Sequence, residues 1–509
     1  MESYGIKRLK KRSRSLLILL FGSFIYAWLM LFIILLPKLS SGEIPDFYVP
    51  LSLLPLIPIW ILYFRYYFPK VSLPSERQVS SWDSGFPQTG PNYLMYLVIL
   101  VLNFLIQSPL TLLLMIALTI SIILALSPKI VTKSIGKDEI EPFHLEKYGF
   151  NSVKNVRYAY IVKSEYANAC AYGVFPGTLH LFFTDKLFDI LNAEELNAVI
   201  KHEIRHSQDL HTLVSISVSL PLFYSTLYVL RFLNEFLLER NSPILLRGNL
   251  YVFLLFSSLI LWLLVQFSVR RILELEADKF AGEKAIPVLE KIIKYNLSKW
   301  GIKYEDVKNI LGKRSWLSRI FSAHPTIEER VKNIRGEEVI FKDYLIPLFA
   351  SGIIWSIYVT LIFLKNFDKI SPLIEDAFLN ILIQVITPLR FLIPYILIPV
   401  LLTLGVSHLV YDVLKGVHLE KLKFTISLSL AFNMSLSLLI ISSGIQKSLP
   451  QINFLPIPTL LSFLLTFYFL KSDLGVKKGL LASMLIWTIM SVTNLILAME
   501  VMLMLNHAY

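Results

Sequence analysis

The stretch Lys201-His202-Glu203-Ile204-Arg205-His206 determines how the rest of this chain is interpreted. It is a His-Glu-x-x-His pattern inside a strongly helical segment. Positions i and i+4 of a helix lie about 40° apart around the axis, so His202 and His206 project from one face. Their two imidazole nitrogens can then reach one Zn²⁺ at roughly 2.0–2.1 Å. Glu203 points about 100° away from His202, where it can contact a water on the metal without ligating the metal. The stretch therefore predicts a zinc site that needs a third ligand from elsewhere.

The composition places this site in a membrane protein. The chain has 509 residues, of which 55% are hydrophobic and 17% are charged, and its apolar runs are long enough to cross a bilayer. The formal net charge is +12, but the basic residues lie mostly at the ends of apolar runs. That pattern is typical of cationic membrane flanks, so we expect no nucleic-acid partner. The single cysteine, Cys170, excludes an intrachain disulfide and a cysteine-built metal site.

The apolar runs divide the chain into three regions. Residues 1–127 are predicted to form an N-terminal membrane region of about four spans, although Ser108-Pro109 allows the third and fourth to be one kinked helix. Residues 128–342 are predicted to form a polar domain that two spans interrupt. Residues 343–509 are predicted to form a C-terminal membrane domain of about five spans. The two spans predicted within residues 128–342 are 213–233 and 250–269. The five predicted within residues 343–509 are 344–364, 391–412, 424–444, 453–470 and 479–504, and residues 374–388 form a weaker apolar piece.

Charge asymmetry predicts which side of the membrane holds the polar domain. Six basic residues lie within residues 1–14, ahead of the apolar run 16–36, and the positive-inside bias places that terminus in the cytoplasm. The basic loops 415–423 and 471–478 fall on the same side if 374–412 crosses the membrane once. We therefore expect a multi-pass protein of the cell membrane with its site on the cytoplasmic face.

Local patterns predict a small sheet followed by the helix that carries the two histidines. Val156–Val162 has the composition of a strand. Pro176-Gly177 is a turn pair between two β-prone runs, which predicts a hairpin over residues 168–184. Asn192, with Glu195 three residues later, is typical of a capping box and predicts the start of the helix.

Glu274 is the best candidate for the third ligand. Catalytic zinc usually has three protein ligands and one open position. Glu274 and Asp278 lie one helical turn apart on one face. Glu274 can complete the metal site, while Asp278 can accept a hydrogen bond from the distal nitrogen of a ligating histidine and fix its tautomer. The alternative is a solvated acidic helix face that includes Glu276.

The order of these motifs resembles the M48 family of membrane zinc metallopeptidases, most closely its HtpX-like branch. In that family His-Glu-x-x-His is followed by two spans, a Glu…Ala-Asp motif and a His-Pro segment that leads to an arginine. This chain supplies Glu274-Leu275-Glu276-Ala277-Asp278, then His324-Pro325 with Arg330. Asn168-Ala169 resembles the start of the family's hairpin. Arg205 stands where small or apolar residues are usual, and the related CAAX prenyl protease-like branch remains an alternative.

The resemblance, which covers roughly residues 128–340, implies both a fold and an activity. The fold would be mainly α, with a zincin-like α+β metalloprotease domain split by two transmembrane helices. One Zn²⁺ per chain would be held by His202, His206 and Glu274, and Glu203 would act as the general base. His324 would stabilise the oxyanion, with Arg330 as the other candidate and as a structural ion-pair partner otherwise. The strand edge at Asn168–Ala169 would pair with substrate backbone.

The resemblance, together with these residues, implies an integral membrane zinc endopeptidase, with membrane-protein quality control as the expected role. Its partners would be a peptide or membrane-protein substrate and the lipid bilayer. A CAAX-type or other specific peptide-processing protease is one alternative. An inactive scaffold or transporter with the same fold is another, because proteolysis does not require the long C-terminal membrane region. His211 and the remaining histidines are assigned no part in the site, and His211 is expected at the start of the next span.

Overall fold

The computed structural model describes residues 140–506, apart from 306–321, 371–376, 448–455 and several shorter gaps. The predicted N-terminal membrane region therefore lies outside the described residues. The described chain divides into two compact units. The first unit comprises residues 140–215 and 269–337, and the second comprises residues 216–268 and 338–506.

The first unit contains a four-stranded sheet with the order β1-β2-β4-β3. Its strands are β1 (Ile140–Pro142), β2 (Val156–Val162), β3 (Ala169–Tyr172) and β4 (Leu179–Thr184). Strand β2 runs parallel to β4, and the other two pairings are antiparallel. The predicted strand and the predicted hairpin are both confirmed. Strand β1 was not predicted, because three residues that include a proline carry almost no periodic signal.

Gly173 allows the β3–β4 hairpin to close. Its φ is +120°, a conformation that L side chains rarely adopt, and a Cβ at this position would lie 2.9 Å from the Leu179 Cα. Glycine meets both requirements because it has no Cβ. The glycine of the predicted turn pair, Gly177, also has a positive φ of 73°.

Among the described residues, six α-helices belong wholly or partly to the first unit. They are α1 (Asp185–Ile190), α2 (Ala193–Gln208), α3 (His211–Glu239), α4 (Ile244–Ala281), α5 (Ala285–Ser298) and α6 (Ile327–Ile334). The runs predicted to span the membrane at 213–233 and 250–269 lie within α3 and α4. Only the first residues of α3 and the last turns of α4 are in this unit.

Helix α2, which carries the two histidines, begins with the predicted capping box. The Asn192 side chain accepts a hydrogen bond from the Glu195 backbone at 2.9 Å, and the Asn192 backbone donates to the Glu195 carboxylate at 3.0 Å. Lys291 of α5 adds an ion pair to Glu195 at 2.8 Å. The apolar face of α2, including Ile200 and Ile204, packs in the core beneath the sheet. The helix is therefore fixed at its start and along one side.

The second unit is formed mainly by four long helices. They are α7 (Leu345–Ile370), α8 (Ala377–Leu414), α9 (Leu419–Lys447) and α10 (Pro456–Asn506). Gly475 interrupts α10 with a non-helical φ of 71°, so the runs predicted at 453–470 and 479–504 lie on either side of a kink. Helix α8 is continuous from Ala377 and passes through Pro388, so most of the weaker predicted piece belongs to the same helix as the run 391–412.

Four segments among the described residues are long and apolar enough to cross a membrane. They are Leu345–Leu364, Tyr395–Leu414, Leu419–Leu439 and Pro458–Thr488. Helices α8 and α10 expose large apolar side chains, among them Leu401, Leu464 and Trp487, whereas the segment in α9 is mostly buried. Contiguous exposed apolar surface on long helices is what a lipid environment accommodates. The expected membrane character is therefore supported by composition and by exposure.

Several polar groups in these helices have hydrogen-bond partners within the protein. The Trp355 ring nitrogen donates to the Met434 carbonyl at 2.8 Å, and the Ser225 hydroxyl donates to the Ser435 carbonyl at 2.8 Å. Because the bilayer core offers no water, such partners remove the cost of an unpaired donor.

Candidate metal centre

Three metal-ligating side chains converge in the first unit. The Nε2 atoms of His202 and His206 lie 3.1 Å apart. Glu274, from the last turns of α4, places its carboxylate oxygens 3.7 Å from His202 Nε2 and 3.4 Å from His206 Nε2. All three ligand atoms lie within 4.8 Å of one another. The structure therefore brings together the three residues that the sequence singled out as ligands.

These separations fit one tetrahedral zinc ion. Ligand atoms at roughly 2.0–2.1 Å from a tetrahedral centre lie about 3.3 Å from each other, close to the distances observed here. A cation shared by the two imidazole nitrogens and the carboxylate would also remove the repulsion between nitrogen lone pairs that face each other. The donor set of two nitrogens and one oxygen is typical of catalytic zinc.

Burial and neighbouring charges set the protonation of the three candidate ligands. Burial lowers the pKa of His206 to about 4, so its ring is neutral and offers a lone pair. Burial would raise the pKa of Glu274, but the charge of His324 and further interactions with the neighbouring histidines outweigh burial and hold that pKa well below its usual value. Burial opposes the protonation of His202, yet the hydrogen bond and charge of Asp278 prevail and raise its pKa. A metal that binds here would therefore displace a proton from this ring.

Asp278 supports His202 from behind. The His202 Nδ1 atom lies 3.1 Å from an Asp278 carboxylate oxygen, and Asp278 itself is buried and held by Arg330 through two hydrogen bonds of 2.6 and 2.5 Å. An Nδ1–H that donates to Asp278 leaves the Nε2 lone pair directed at Glu274. This arrangement is how carboxylates commonly fix the tautomer of a zinc-ligating histidine.

Helix α6 brings Arg330 to this position. The helix begins with a capping box between Thr326 and Glu329, and its Asn333 side chain donates to the Leu275 carbonyl at 2.6 Å. The sequence left two roles open for Arg330, an oxyanion donor and a structural ion-pair partner. The structure shows an ion pair between Arg330 and Asp278.

His324 lies at the exposed rim of the site. Its Nδ1 atom is 3.2 Å from the Glu274 carboxylate, while 66% of its side chain is exposed. The preceding segment is fixed because the buried Arg271 of α4 donates to the Ser322 carbonyl, and the Ser322 hydroxyl donates to the His324 carbonyl at 2.9 Å. An exposed imidazole beside the ligands can reach a substrate atom.

The Asn168–Ala169 segment is tied to its neighbours at the start of β3. The Asn168 backbone donates to the Thr184 hydroxyl at 2.8 Å and accepts from the Thr184 backbone at 2.9 Å. The Asn296 side chain pairs with both backbone groups of Ala167, at 3.0 and 2.9 Å. The segment is thus fixed at the start of β3. This strand is the last in the order of the sheet, and it packs against α2.

Glu203 is buried on α2 immediately after the first ligand. Its negative charge contributes to the raised pKa of His202, after Asp278 and Glu274. The carboxylate is therefore within electrostatic range of the ligands and is not part of the ligand set.

His211 is a site residue that the sequence interpretation missed. It begins α3 as expected, but its Nδ1 atom lies 2.7 Å from His206 Nδ1 and its side chain is only 4% exposed. Burial holds its pKa well below the usual value, so the ring is neutral. The available signal was its position five residues after His206, but that spacing does not place two residues on one helix face. Only the turn between α2 and α3 creates the contact.

The comparison with protein families agrees with the motif order. Residues 139–338 match Peptidase family M48, so the resemblance of this part of the chain to the M48 family is confirmed, without a distinction between its two branches. The crystal structure of S. mikatae Ste24p is similar, with 16% sequence identity and a TM-score of 0.36, over 63% of this chain and 82% of that chain. A comparison with curated proteins gave no match.

Proposed function

We propose that this protein is an integral membrane zinc endopeptidase. The observation that carries the proposal is the convergence of His202, His206 and Glu274 within an M48 peptidase domain. The long apolar helices of the second unit add the membrane context.

Each residue of the site is assigned its own step in peptide hydrolysis. Zinc, when bound, would lower the pKa of water and polarise the scissile carbonyl. Glu203 accepts the proton of the attacking water and delivers it to the leaving amine. His324 donates a hydrogen bond to the oxygen of the tetrahedral intermediate, and its exposed position next to Glu274 supports this role. Arg330 is the weaker candidate because Asp278 already engages its guanidinium.

Substrate backbone is proposed to bind along the segment at Asn168–Ala169. This segment precedes β3, which stands last in the strand order of the sheet. An extended peptide can add a strand at such a position, where main-chain hydrogen bonds give affinity with little dependence on side chains. Binding of this kind suits the quality control of misfolded membrane proteins, which is the role we propose. CAAX-type or other specific peptide processing is the alternative within the same chemistry, and the cytoplasmic face is the proposed location.

The decisive test is a Glu203→Gln variant of the full-length protein, purified in detergent. We expect zinc content to be unchanged and cleavage of casein to fall by about 10²–10⁴-fold, the usual contribution of a general base. Glu194→Gln is the matched control, because Glu194 is an exposed carboxylate on the same helix, and it should cleave like the parent. Equal cleavage by the Glu203→Gln variant would reject the proposal.

Metal analysis distinguishes the enzyme from an inactive scaffold or transporter. The enzyme predicts one zinc per chain that is lost in His206→Ala, whereas the scaffold predicts a parent protein without bound metal. Comparing the peptides released in cells that carry the parent or the Glu203→Gln variant then identifies the substrate class. Accumulation of many unfolded membrane proteins supports quality control, and accumulation of a single precursor supports specific processing.

A further inference from the structure

A second group of metal-ligating side chains lies beside the zinc ligands. Asp209, His211 and Glu276 place one ligand atom each within 4.8 Å of the others. His211 Nε2 is 3.9 Å from a carboxylate oxygen of Asp209 and 3.9 Å from one of Glu276. On the other side of the same ring, Nδ1 is 2.7 Å from His206 Nδ1. The ring of His211 therefore lies between the proposed zinc ligand and two carboxylates.

The proton positions on the two rings are linked. A histidine that ligates zinc through Nε2 carries its only proton on Nδ1. His206 faces the other two ligands with Nε2, so its Nδ1–H must donate at the 2.7 Å contact. His211 Nδ1 must then be the acceptor, which leaves the proton of the neutral His211 ring on Nε2, toward the carboxylates.

This proton arrangement excludes a second metal ion at His211 while zinc occupies the first site. To ligate a cation, His211 Nε2 would need a free lone pair and its proton would move to Nδ1. Two N–H groups would then face each other at 2.7 Å, which is strongly repulsive. Arg205 already supplies a positive charge here, because its guanidinium lies 2.7 Å from the Asp209 carboxylate.

We propose that His211 is a positioning residue for the metal site, which holds His206 in the ligating tautomer by accepting its Nδ1–H. The proposal rests on the proposed zinc chemistry and extends it. His202 is held in the same way by Asp278 at 3.1 Å, so each ligating imidazole has its own acceptor behind it. One acceptor is a carboxylate and the other is a neutral imidazole.

The carboxylates in turn fix the tautomer of His211. Their oxygens lie at 3.9 Å, too far for a direct hydrogen bond but close enough for their negative charge to favour the Nε2–H form. With zinc bound, a continuous series of polar interactions would therefore lead from the metal through His206 and His211 to Asp209 and Glu276. Partners of this kind commonly contribute about 10–100-fold to metal affinity.

The experiment measures zinc affinity in the full-length protein, by competition with a chelating dye, for three variants. His211→Leu removes the acceptor, and we expect affinity to fall by about 10–100-fold. His211→Asn places an oxygen near the position of Nδ1 and should retain most of the affinity. His211→Gln places its oxygen near Nε2 and should behave like His211→Leu. The Asn and Gln variants decide the question if His211→Leu does not fold. A Co²⁺-loaded sample of each provides a second readout, because a displaced His206 changes the ligand-field absorption.

His180→Leu is the matched control, since His180 is also buried but lies on β4 in contact with aromatic rings. Its zinc affinity should equal that of the parent. If the parent protein itself holds no zinc, the proposed function fails. If the parent holds zinc and the Asn and Gln variants bind it equally well, only the role of His211 is overturned.

Discussion

Arg330 and Asp278 form a bidentate ion pair directly behind a proposed metal ligand. The Nε and Nη2 atoms of Arg330 lie 2.6 and 2.5 Å from the two Asp278 oxygens, and only 1% of the Asp278 side chain is exposed. The same carboxylate is 3.1 Å from His202 Nδ1. A buried carboxylate with two partners is fixed in position, and it fixes the histidine in turn.

Removal of Arg330 should therefore affect both stability and metal binding. In Arg330→Met the Asp278 charge stays buried without its partner, a change that typically costs about 3–5 kcal/mol. We expect a lower unfolding midpoint in denaturant titrations of the detergent-solubilised protein and weaker retention of zinc during dialysis against a chelator. The double variant Asp278→Asn/Arg330→Met, which buries no lone charge, should recover part of the lost stability. An Arg330→Met protein that unfolds like the parent would contradict this account.

His324 should affect turnover and leave the fold unchanged. Its side chain is 66% exposed, so His324→Ala removes little buried surface, while the loss of an oxyanion donor typically costs about 10²–10³-fold in kcat. The measurement is steady-state cleavage, with kcat and KM determined separately and zinc content verified. His144→Ala is the control, because His144 is an exposed histidine in the same unit whose side chain makes no capping hydrogen bond. A change in KM alone would assign His324 to substrate binding.

The ligand set could be predicted from the sequence because it depends on helical spacing. His202 and His206, and likewise Glu274 and Asp278, lie one helical turn apart, so each pair shares a face wherever the helix packs. His211 could not be found in this way, because its contact with His206 depends on the turn that ends α2 at Asp209. For the same reason the sequence left the partner of Arg330 open. That pairing requires α6 to dock beside α4 through the Asn333–Leu275 contact.

His180 should make the stability of the first unit sensitive to acid. Burial, reinforced by the charge of Arg157, lowers its pKa from 6.5 to about 4, so the folded state favours the neutral ring. The unfolded chain binds the proton more readily, and the contribution of His180 is fully present above about pH 6.5 and is lost as the pH falls toward 4. His180→Phe keeps an aromatic ring beside Tyr158 and Phe182 without titrating. Between pH 7 and 4.5 the melting midpoint of the parent should therefore fall more steeply than that of His180→Phe, and parallel pH profiles would contradict the assignment.

The cytoplasmic placement of the metal site can be tested by labelling one exposed position. Glu146 lies on the exposed surface of the first unit, whereas the native Cys170 is buried, so a Glu146→Cys variant offers a single accessible thiol among the described residues. A membrane-impermeant maleimide should label this variant only after the cells are permeabilised, because the charge pattern places the domain inside. The unchanged parent serves as the control and should stay unlabelled in both conditions. Strong labelling of Glu146→Cys in intact cells would move the site to the outer face, where a cytoplasmic peptide could no longer be its substrate.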